Sequence, residues 1–355
     1  MKIAFFLPNW VGDVVMATPA IRAIREHFPI ARTIGICRPY VAAVVEGAPW
    51  FDDIIIHDKK GPREHRGFAV VSQLRRENID AAVLFPNSFR SALFAWLGGC
   101  RKRIGFDRYG RSFFLSDALQ PVRDERGMLK PTPIIDDYNR LARMLGASAP
   151  GHRMELFTAP ADDATADQVW AEMGTHLAGE VIGLNPGAAF GAAKHWPAES
   201  FAELARQFVD RRGSRVLVLC GPKERELAHE IVALSRRPGV YSLAGFPISI
   251  GLSKACVRRL DLLVTTDSGP RHFAAAFGRP VVTLFGPTFV EWTETYYPKA
   301  VHLQKKVPCG PCQLRVCPLD HRCMRELSPA EVFDACSQLL HRFPPTAIPE
   351  RRHAG

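Results

Sequence analysis

The chain has 355 residues, 47% hydrophobic and 23% charged, with 46 basic against 36 acidic residues and a net charge of +10. That composition excludes a disordered or fibrous chain, and one core stops growing at roughly 250–300 residues, so two domains are expected. The basic excess favours anionic partners such as nucleic acid, phosphosugars or an anionic membrane face, or else marks only a basic soluble enzyme. Met1-Lys2 and Ile3–Leu7 look like the start of a signal peptide, but the apolar run stops at Pro8, short of the roughly 7–15 residues such a segment needs. A buried first strand and a cytoplasmic protein are the expectation. No run reaches the roughly 18 apolar residues of a membrane helix.

In chain order, strands are predicted at Ile3–Leu7, Thr33–Cys37, Asp53–Ile56, Ala81–Phe85 and Arg103–Phe106. After the first, Thr18 reads as an N-cap and Pro19 as the first residue of a helix with Ile21, Ile24 and Phe28 on one face. Ala147–Pro160, rich in Ala, Pro, Ser and Gly, is the linker candidate. The plan then repeats, with strands at Val181–Leu184, Arg215–Cys220, Leu262–Thr265 and Val281–Phe285. Helices are expected near Phe201–Arg212, Glu224–Arg236, Pro270–Phe277 and Pro329–Leu340. Strand–helix alternation with near-continuous apolar strands implies an α/β fold with two Rossmann-like, doubly wound parallel sheets.

Ligands of such sheets bind at the carboxyl ends of the strands, and three loops there carry chemistry. Pro8-Asn9-Trp10-Val11-Gly12-Asp13 sets a carboxylate at the first sheet, where Asp13 is either a general base for a hydroxyl or a helix cap. Asn185–Pro197 contains Gly187, Ala188 and other small residues that admit a phosphate, and Lys194 as a compact cation or a solvated loop lysine. It is neither a P-loop nor a dinucleotide fingerprint, which disfavours an oxidoreductase or epimerase. Thr265–His272 ends a strand and opens a helix at Pro270, so free amides face a diphosphate there. Asp267 would accept bonds from sugar hydroxyls, unless Asp267 or Ser268 merely caps the helix. No Asp-x-Asp triplet occurs, so the carboxylate clamp that holds a divalent metal on a sugar nucleotide is not expected.

Taken together, these loops resemble glycosyltransferase family 9, the lipopolysaccharide heptosyltransferases. The matching stretches are PNWVGDVVMATPAIRAIREHFP from Pro8, FPNSFRSALFAWLGG from Phe85, NPGAAFGAAKHWP from Asn185 and TTDSGPRHFAAAFGRPVVTLFGPT from Thr265. Asn87–Phe89 and the Pro186-Gly187-Ala188 loop are more similar to the enzymes that add the second heptose. The resemblance implies a GT-B fold, with an acceptor domain at 1–155, a donor domain at 156–327 and a helix and tail at 328–355. It implies inverting, metal-independent transfer of heptose from ADP-heptose to a heptosyl-Kdo-lipid A acceptor, with no cofactor. Asp13 would be the base and Lys194 would hold the diphosphate. Asp267, Ser268, Gly269 and His272 would line the heptose pocket, and Phe246 would border the adenine. Glu226 is expected to bind the ribose, with Glu224 as the alternative. Arg271 departs from the family pattern and either touches phosphate or lies on the outer face, the outer face being favoured.

On the acceptor side, Asn87, Ser88, Arg90, Arg101 and Arg103 are the candidates, with Arg108 and Arg111 nearby. Arginine suits carboxylates and phosphates of Kdo and lipid A, although a solvated charged loop explains the run equally well. Phe113, Phe114 and Leu115 could graze the cytoplasmic face of the inner membrane. No module for nucleic acid accompanies the charge. Cys309, Cys312, Cys317 and Cys323 form a cluster that is read as reduced thiols, a zinc site or a disulfide. Competing functions are a GT-B transferase with another donor or acceptor, and a binder of nucleotide sugars without catalysis.

Overall fold

The structure, a computed structural model, describes residues 1–148, 150–174 and 179–344. The expected tail beyond residue 344 therefore lies outside the described residues, as does residue 149 of the linker candidate. Two compact units emerge, Met1–Pro160 with Phe289–Tyr297, and Ala161–Thr288 with the chain from Pro298 onward. The expected boundary at 155/156 thus moves to 160/161, and unit 1 takes back a short segment from far along the chain. Tyr296 holds that segment: its hydroxyl donates to Asp136 at 2.8 Å and its ring meets His152 at 4.4 Å. Residues 328–344 pack within unit 2, on its own helices and strands, and not apart from it.

Unit 1 runs β1 (Lys2–Phe6), α1 (Val11–His27), β2 (Arg32–Cys37), α2 (Pro39–Val45), β3 (Asp53–Ile56), α3 (Gly67–Glu77) and β4 (Ala81–Leu84). It continues with α4 (Phe89–Leu97), β5 (Lys102–Phe106), β6 (Asp117–Leu119) and α5 (Ile134–Met144). Its six parallel strands are ordered β3-β2-β1-β4-β5-β6. Helix α1 packs on α5, and α3 packs on α4. Both faces of the sheet are covered, so β4 is buried throughout and reads as continuous apolar sequence.

Helix α1 starts at Val11, seven residues before the expected N-cap, and carries Pro19 in its interior. Proline removes the N–H that would bond the carbonyl four residues back, here that of Val15. The Thr18 hydroxyl donates to that same Val15 carbonyl at 2.8 Å, so the lost partner is replaced locally. Thr18 therefore repairs a helix interior and caps nothing.

Unit 2 opens with α6 (Pro160–Glu172) and continues β7 (Val181–Asn185), α7 (Ala198–Arg212), β8 (Arg215–Val218), α8 (Arg225–Ser235) and β9 (Val240–Ser242). Then come α9 (Ile250–Arg259), β10 (Leu262–Thr266), α10 (Gly269–Ala276), β11 (Val281–Phe285), β12 (Ala300–Gln304), α11 (Arg322–Arg325) and α12 (Pro329–Arg342). The order is β12-β11-β10-β7-β8-β9, again all parallel. Three strands escaped the sequence reading, β6, β9 and β12, and each is a sheet edge. Edges are covered on fewer sides, so they lack the unbroken apolar run that announces a central strand.

Each strand order reverses once, between β1 and β4 in unit 1 and between β7 and β10 in unit 2. At such a point neighbouring loops leave on opposite sides and open a crevice at the strands' carboxyl ends. The loops after β1 and β4, and those after β7 and β10, are the ones singled out from sequence. Among the described residues, no helix is long and apolar enough to cross a membrane.

Candidate active site

In unit 2, the loop after β7 climbs through Gly187 and Phe190 to Lys194 and is pinned at its far end by Trp196. The Trp196 indole is buried, donates to the Leu327 carbonyl at 2.9 Å and packs edge-on against Phe201. Lys194 is buried as well, and its Nζ donates to Asp267 Oδ2 at 2.5 Å and to the Asp267 carbonyl at 3.0 Å. Arg271 adds a bond to Asp267 Oδ1 at 3.2 Å, and the Thr288 hydroxyl donates to Oδ2 at 2.7 Å. Burial pushes the Asp267 carboxyl up, but Lys194 and Arg271 outweigh it and hold the group at about 2. A carboxylate has roughly four acceptor positions, and three side-chain bonds occupy most of those of Asp267.

The rest of the crevice is tied into this pair. Asn185 donates to Thr265 and to Ser268, both at 3.0 Å, and Thr266 donates to the Gly187 carbonyl at 2.7 Å. Ser268 stands at the N-cap of α10 but makes no capping bond with its side chain. The first turn of α10 thus keeps amide capacity toward the crevice. His272 is buried, and burial followed by the Arg271 charge holds its imidazole well below the ordinary range, so the ring is neutral.

Gly187 admits a close approach: a Cβ there would fall 2.3 Å from the Glu224 carboxylate, which would have to shift aside. That carboxylate also accepts the Gly221 amide at 2.7 Å. Glu224 accordingly sits against the Gly187 loop, whereas Glu226 is exposed on the first turn of α8. Arg225 donates to the carbonyls of Ala244 and Phe246, the latter at 3.0 Å, and so fixes the segment expected to border the adenine.

In unit 1, Asp13 lies in the first turn of α1, while the N-cap position belongs to Trp10. It is half-buried, and its charge reaches Tyr138, whose hydroxyl is pushed well above its ordinary range by burial first and then by Asp13 and Asp137. Asn9, in the same loop, receives Arg38 Nε on its side chain at 2.8 Å and the Tyr40 hydroxyl on its carbonyl. Beyond β4, Ser88 caps α4 by accepting the Ser91 amide at 3.1 Å. Asn87 accepts Arg111 at 3.0 Å.

The model of glycosyltransferase family 9 (heptosyltransferase) matches residues 68–322. The chain belongs to glycosyltransferase family 9. It is 29% identical over 347 residues to lipooligosaccharide heptosyltransferase 2 of Campylobacter jejuni, covering 96% of this chain and 98% of that one. Lipopolysaccharide heptosyltransferase 2 of Escherichia coli is 28% identical, covering 84% and 87%. The solved E. coli ADP-heptose LPS heptosyltransferase II superimposes with a TM-score of 0.76 at 26% identity, covering 96% and 99%. The two six-stranded parallel sheets are those of a GT-B glycosyltransferase, and the protein is an enzyme of that class.

Against that background, several residues of this family 9 chain sit other than expected. Arg271 does not reach the outer face; it is buried, bonded to Asp267 and stacked over Phe285 at 5.0 Å. A buried cation four residues after a buried carboxylate pairs with it, and that spacing was the available signal. Arg111, read as part of a surface patch, is fully buried. It donates to the carbonyls of Phe106 and Pro86 and to Asn87, and so shapes the Asn87–Arg90 loop from beneath. Burial, then the charge of Arg108, lowers its guanidinium to about 10. Gly105 makes room, since a Cβ there would lie 3.0 Å from Arg111 Nη2. Arg103 commits its guanidinium to the carbonyls of Phe114, Cys100 and Arg101, whereas Arg101 is exposed and pairs with Asp80 at 3.2 Å.

All nine cysteines are unpaired thiols. Cys309 and Cys312 are exposed, Cys317 is half-buried and Cys323 is buried. Among the described residues, no three His, Cys, Asp or Glu side chains are arranged to hold a metal ion. The segment has a structural part that its sequence did not announce. The Arg315 carbonyl accepts the Ala193 amide at 3.0 Å, and its guanidinium lies 5.3 Å from the Phe190 ring, over which Lys194 also sits at 4.8 Å. The cysteine-bearing loop therefore braces the loop that carries Lys194.

Proposed function

We propose that this chain transfers L-glycero-D-manno-heptose from ADP-heptose to heptosyl-Kdo-lipid A, in the inner core of lipopolysaccharide, with inversion and without a divalent metal. The names of the full-length relatives support the donor and acceptor class. The observation that carries the chemistry is the buried Lys194–Asp267 pair beside the small-residue loop at Gly187. Lys194 has a third N–H beyond the two bound by Asp267, and with the α10 amides it faces the diphosphate. Asp267 takes a heptose hydroxyl on its remaining acceptor position, with Ser268, Gly269 and His272 around it. Glu224, rather than Glu226, meets the ribose, and Phe246 borders the adenine.

In unit 1, the loop Asn87–Arg90 receives the acceptor, with Arg101 at its margin. Asp13 takes the proton of the attacking hydroxyl as that oxygen bonds to the anomeric carbon. The bond from that carbon to the phosphate oxygen breaks on the opposite side, which inverts the centre. The negative charge growing on ADP meets Lys194 and the helix amides, whose attraction is stronger in the transition state than in the substrate. Exposed Phe113, with Phe89, Trp96 and Phe114 in ring contact beside it, suits peripheral contact with the anionic cytoplasmic face of the inner membrane.

The test is release of ADP from ADP-heptose in the presence of acceptor, with and without EDTA. Unchanged turnover in EDTA is expected, and loss of turnover that manganese restores would defeat the metal-free reading. Asp13→Asn should lower kcat by roughly 10²–10⁴-fold while ADP binds as before in calorimetry. A variant with full turnover would remove Asp13 from the mechanism.

A further inference from the structure

Arg271 is a buried cation to which the proposed donor chemistry assigns no task. It stands in the first turn of α10, four residues after Asp267, and is 3% exposed. Three neighbours close around its guanidinium. Nη1 donates to Asp267 Oδ1 at 3.2 Å, the Phe285 ring at the end of β11 lies 5.0 Å away, and His302 Nε2 of β12 is 3.4 Å from Nη2. A group so enclosed acts on a ligand through the side chains it touches.

One buried carboxylate calls for one counter-ion, and Asp267 has two. They hold opposite oxygens. Lys194 Nζ bonds Oδ2 at 2.5 Å and Arg271 bonds Oδ1 at 3.2 Å, with the Thr288 hydroxyl on Oδ2 at 2.7 Å. Lys194 has a second anion to serve, because the diphosphate of the donor competes with Oδ2 for its charge. A buried carboxylate deserted by its only cation turns or takes up a proton. Arg271, stacked on Phe285, stays in place. His272 is the other titratable group on α10 within the field of Asp267; its ring is neutral and offers no replacement charge.

We infer that Arg271 is a positioning residue of the donor site, which holds Asp267 by Oδ1 so that the carboxylate stays oriented and ionised when Lys194 is drawn toward the diphosphate. Lys194 can then follow the negative charge that grows on ADP, and the acceptor for the heptose hydroxyl is kept. The inference rests on the reading of unit 2 as the ADP-heptose-binding unit.

The test is calorimetric titration of ADP-heptose into the full chain, in pairs of buffers with different heats of ionisation, which counts the protons taken up on binding. The diphosphate of ADP-heptose is substituted at both ends and does not itself titrate near neutral pH. At about pH 6, Arg271→Met should take up about one proton more than the wild type. Its affinity should be about 10-fold weaker at about pH 8.5, and the deficit should shrink as pH falls, the sign that proton uptake requires. Arg271→Lys should bring both quantities back toward the wild type. On an Asp267→Asn background, Arg271→Met should change the affinity by less than about twofold. That double variant buries no deserted carboxylate, and it decides the matter if the single variant unfolds. Proton uptake equal to that of the wild type, an affinity loss independent of pH, or a further loss on the Asp267→Asn background each overturns the role of Arg271. Heptose transfer measured alongside keeps the two readings apart. Transfer without the binding pattern overturns the role of Arg271 alone, the pattern without transfer overturns the transferase reading alone, and a chain that does not bind ADP-heptose overturns both.

Discussion

Lys194 in unit 2 is buried and bound to Asp267 at 2.5 Å, whereas Arg38 and Arg90 in unit 1 line an open cavity with no ion partner among the described residues. Both sets of cations stand at the reversal point of a six-stranded sheet. The difference is solvation. A cation removed from water must bring its counter-ion from within the protein, so Lys194 comes with Asp267, and Asp267 with Arg271 and Thr288. A cation left in contact with water needs none until a ligand displaces that water. Charges at the unit 2 site are therefore tied into the fold, while those at the unit 1 cavity are left in contact with water.

The largest effect that would sharpen this contrast is Lys194→Met. Turnover is expected to fall by roughly 10²–10³-fold, and stability by about 3 kcal/mol, because Asp267 keeps its burial but loses its first counter-ion. ADP release and urea unfolding measure the two losses, and a stable, inactive variant would show that the pair has no part in the fold. Arg111→Met comes next. Losing a buried charged donor leaves the Phe106 carbonyl without its guanidinium partner and the Pro86 carbonyl with only the 3.3 Å bond from the Ser91 hydroxyl, for about 2 kcal/mol of stability, and it loosens the Asn87–Arg90 loop. The KM for acceptor should rise while that for ADP-heptose stays put; equal changes in both would deny Arg111 its positioning role.

A smaller effect follows from Asp267 itself. Its carboxyl is held at about 2 in the folded chain against an ordinary value of 3.8. A depressed acid adds stability that is complete above the unfolded value and is lost as pH falls through the folded one. About 2 kcal/mol should therefore disappear between pH 4 and pH 2, read from urea midpoints, and Asp267→Asn should flatten that part of the profile. The smallest change belongs to the other unit. Arg38→Gln and Arg90→Gln should alter stability by no more than about 0.5 kcal/mol, and an unfolding midpoint that drops as far as that of Lys194→Met would erase the distinction between the two mouths.

The alternation of strands and helices, the repeat of the plan and the loops at Asp13, Gly187–Lys194 and Asp267–His272 were all legible in the sequence. Their signals are local: an unbroken apolar run marks a strand covered on both faces, and Gly, Pro and Asp just after it mark the loop at its carboxyl end. The central strands β1, β4, β7, β10 and β11 accordingly fall within a residue or two of their expected positions. The same logic explains what was missed. Edge strands β6, β9 and β12 carry polar residues because fewer neighbours cover them, and Pro19 reads as a helix start wherever the hydroxyl that compensates for it is not in view.

Charge partners were decided by the tertiary structure alone. Arg101 and Arg111 stand ten residues apart in one basic stretch, yet one is exposed and the other lies fully buried beneath the Asn87 loop. Glu224 and Glu226 sit two residues apart, and the turn into α8 brings only the first against Gly187. Arg38, His57 and Arg90 share a cavity because β3, β2, β1 and β4 lie side by side. Sequence fixes the type of each charged group and the strand it follows, but the electrostatic field falls with distance through space, and those distances are set by strand order and burial.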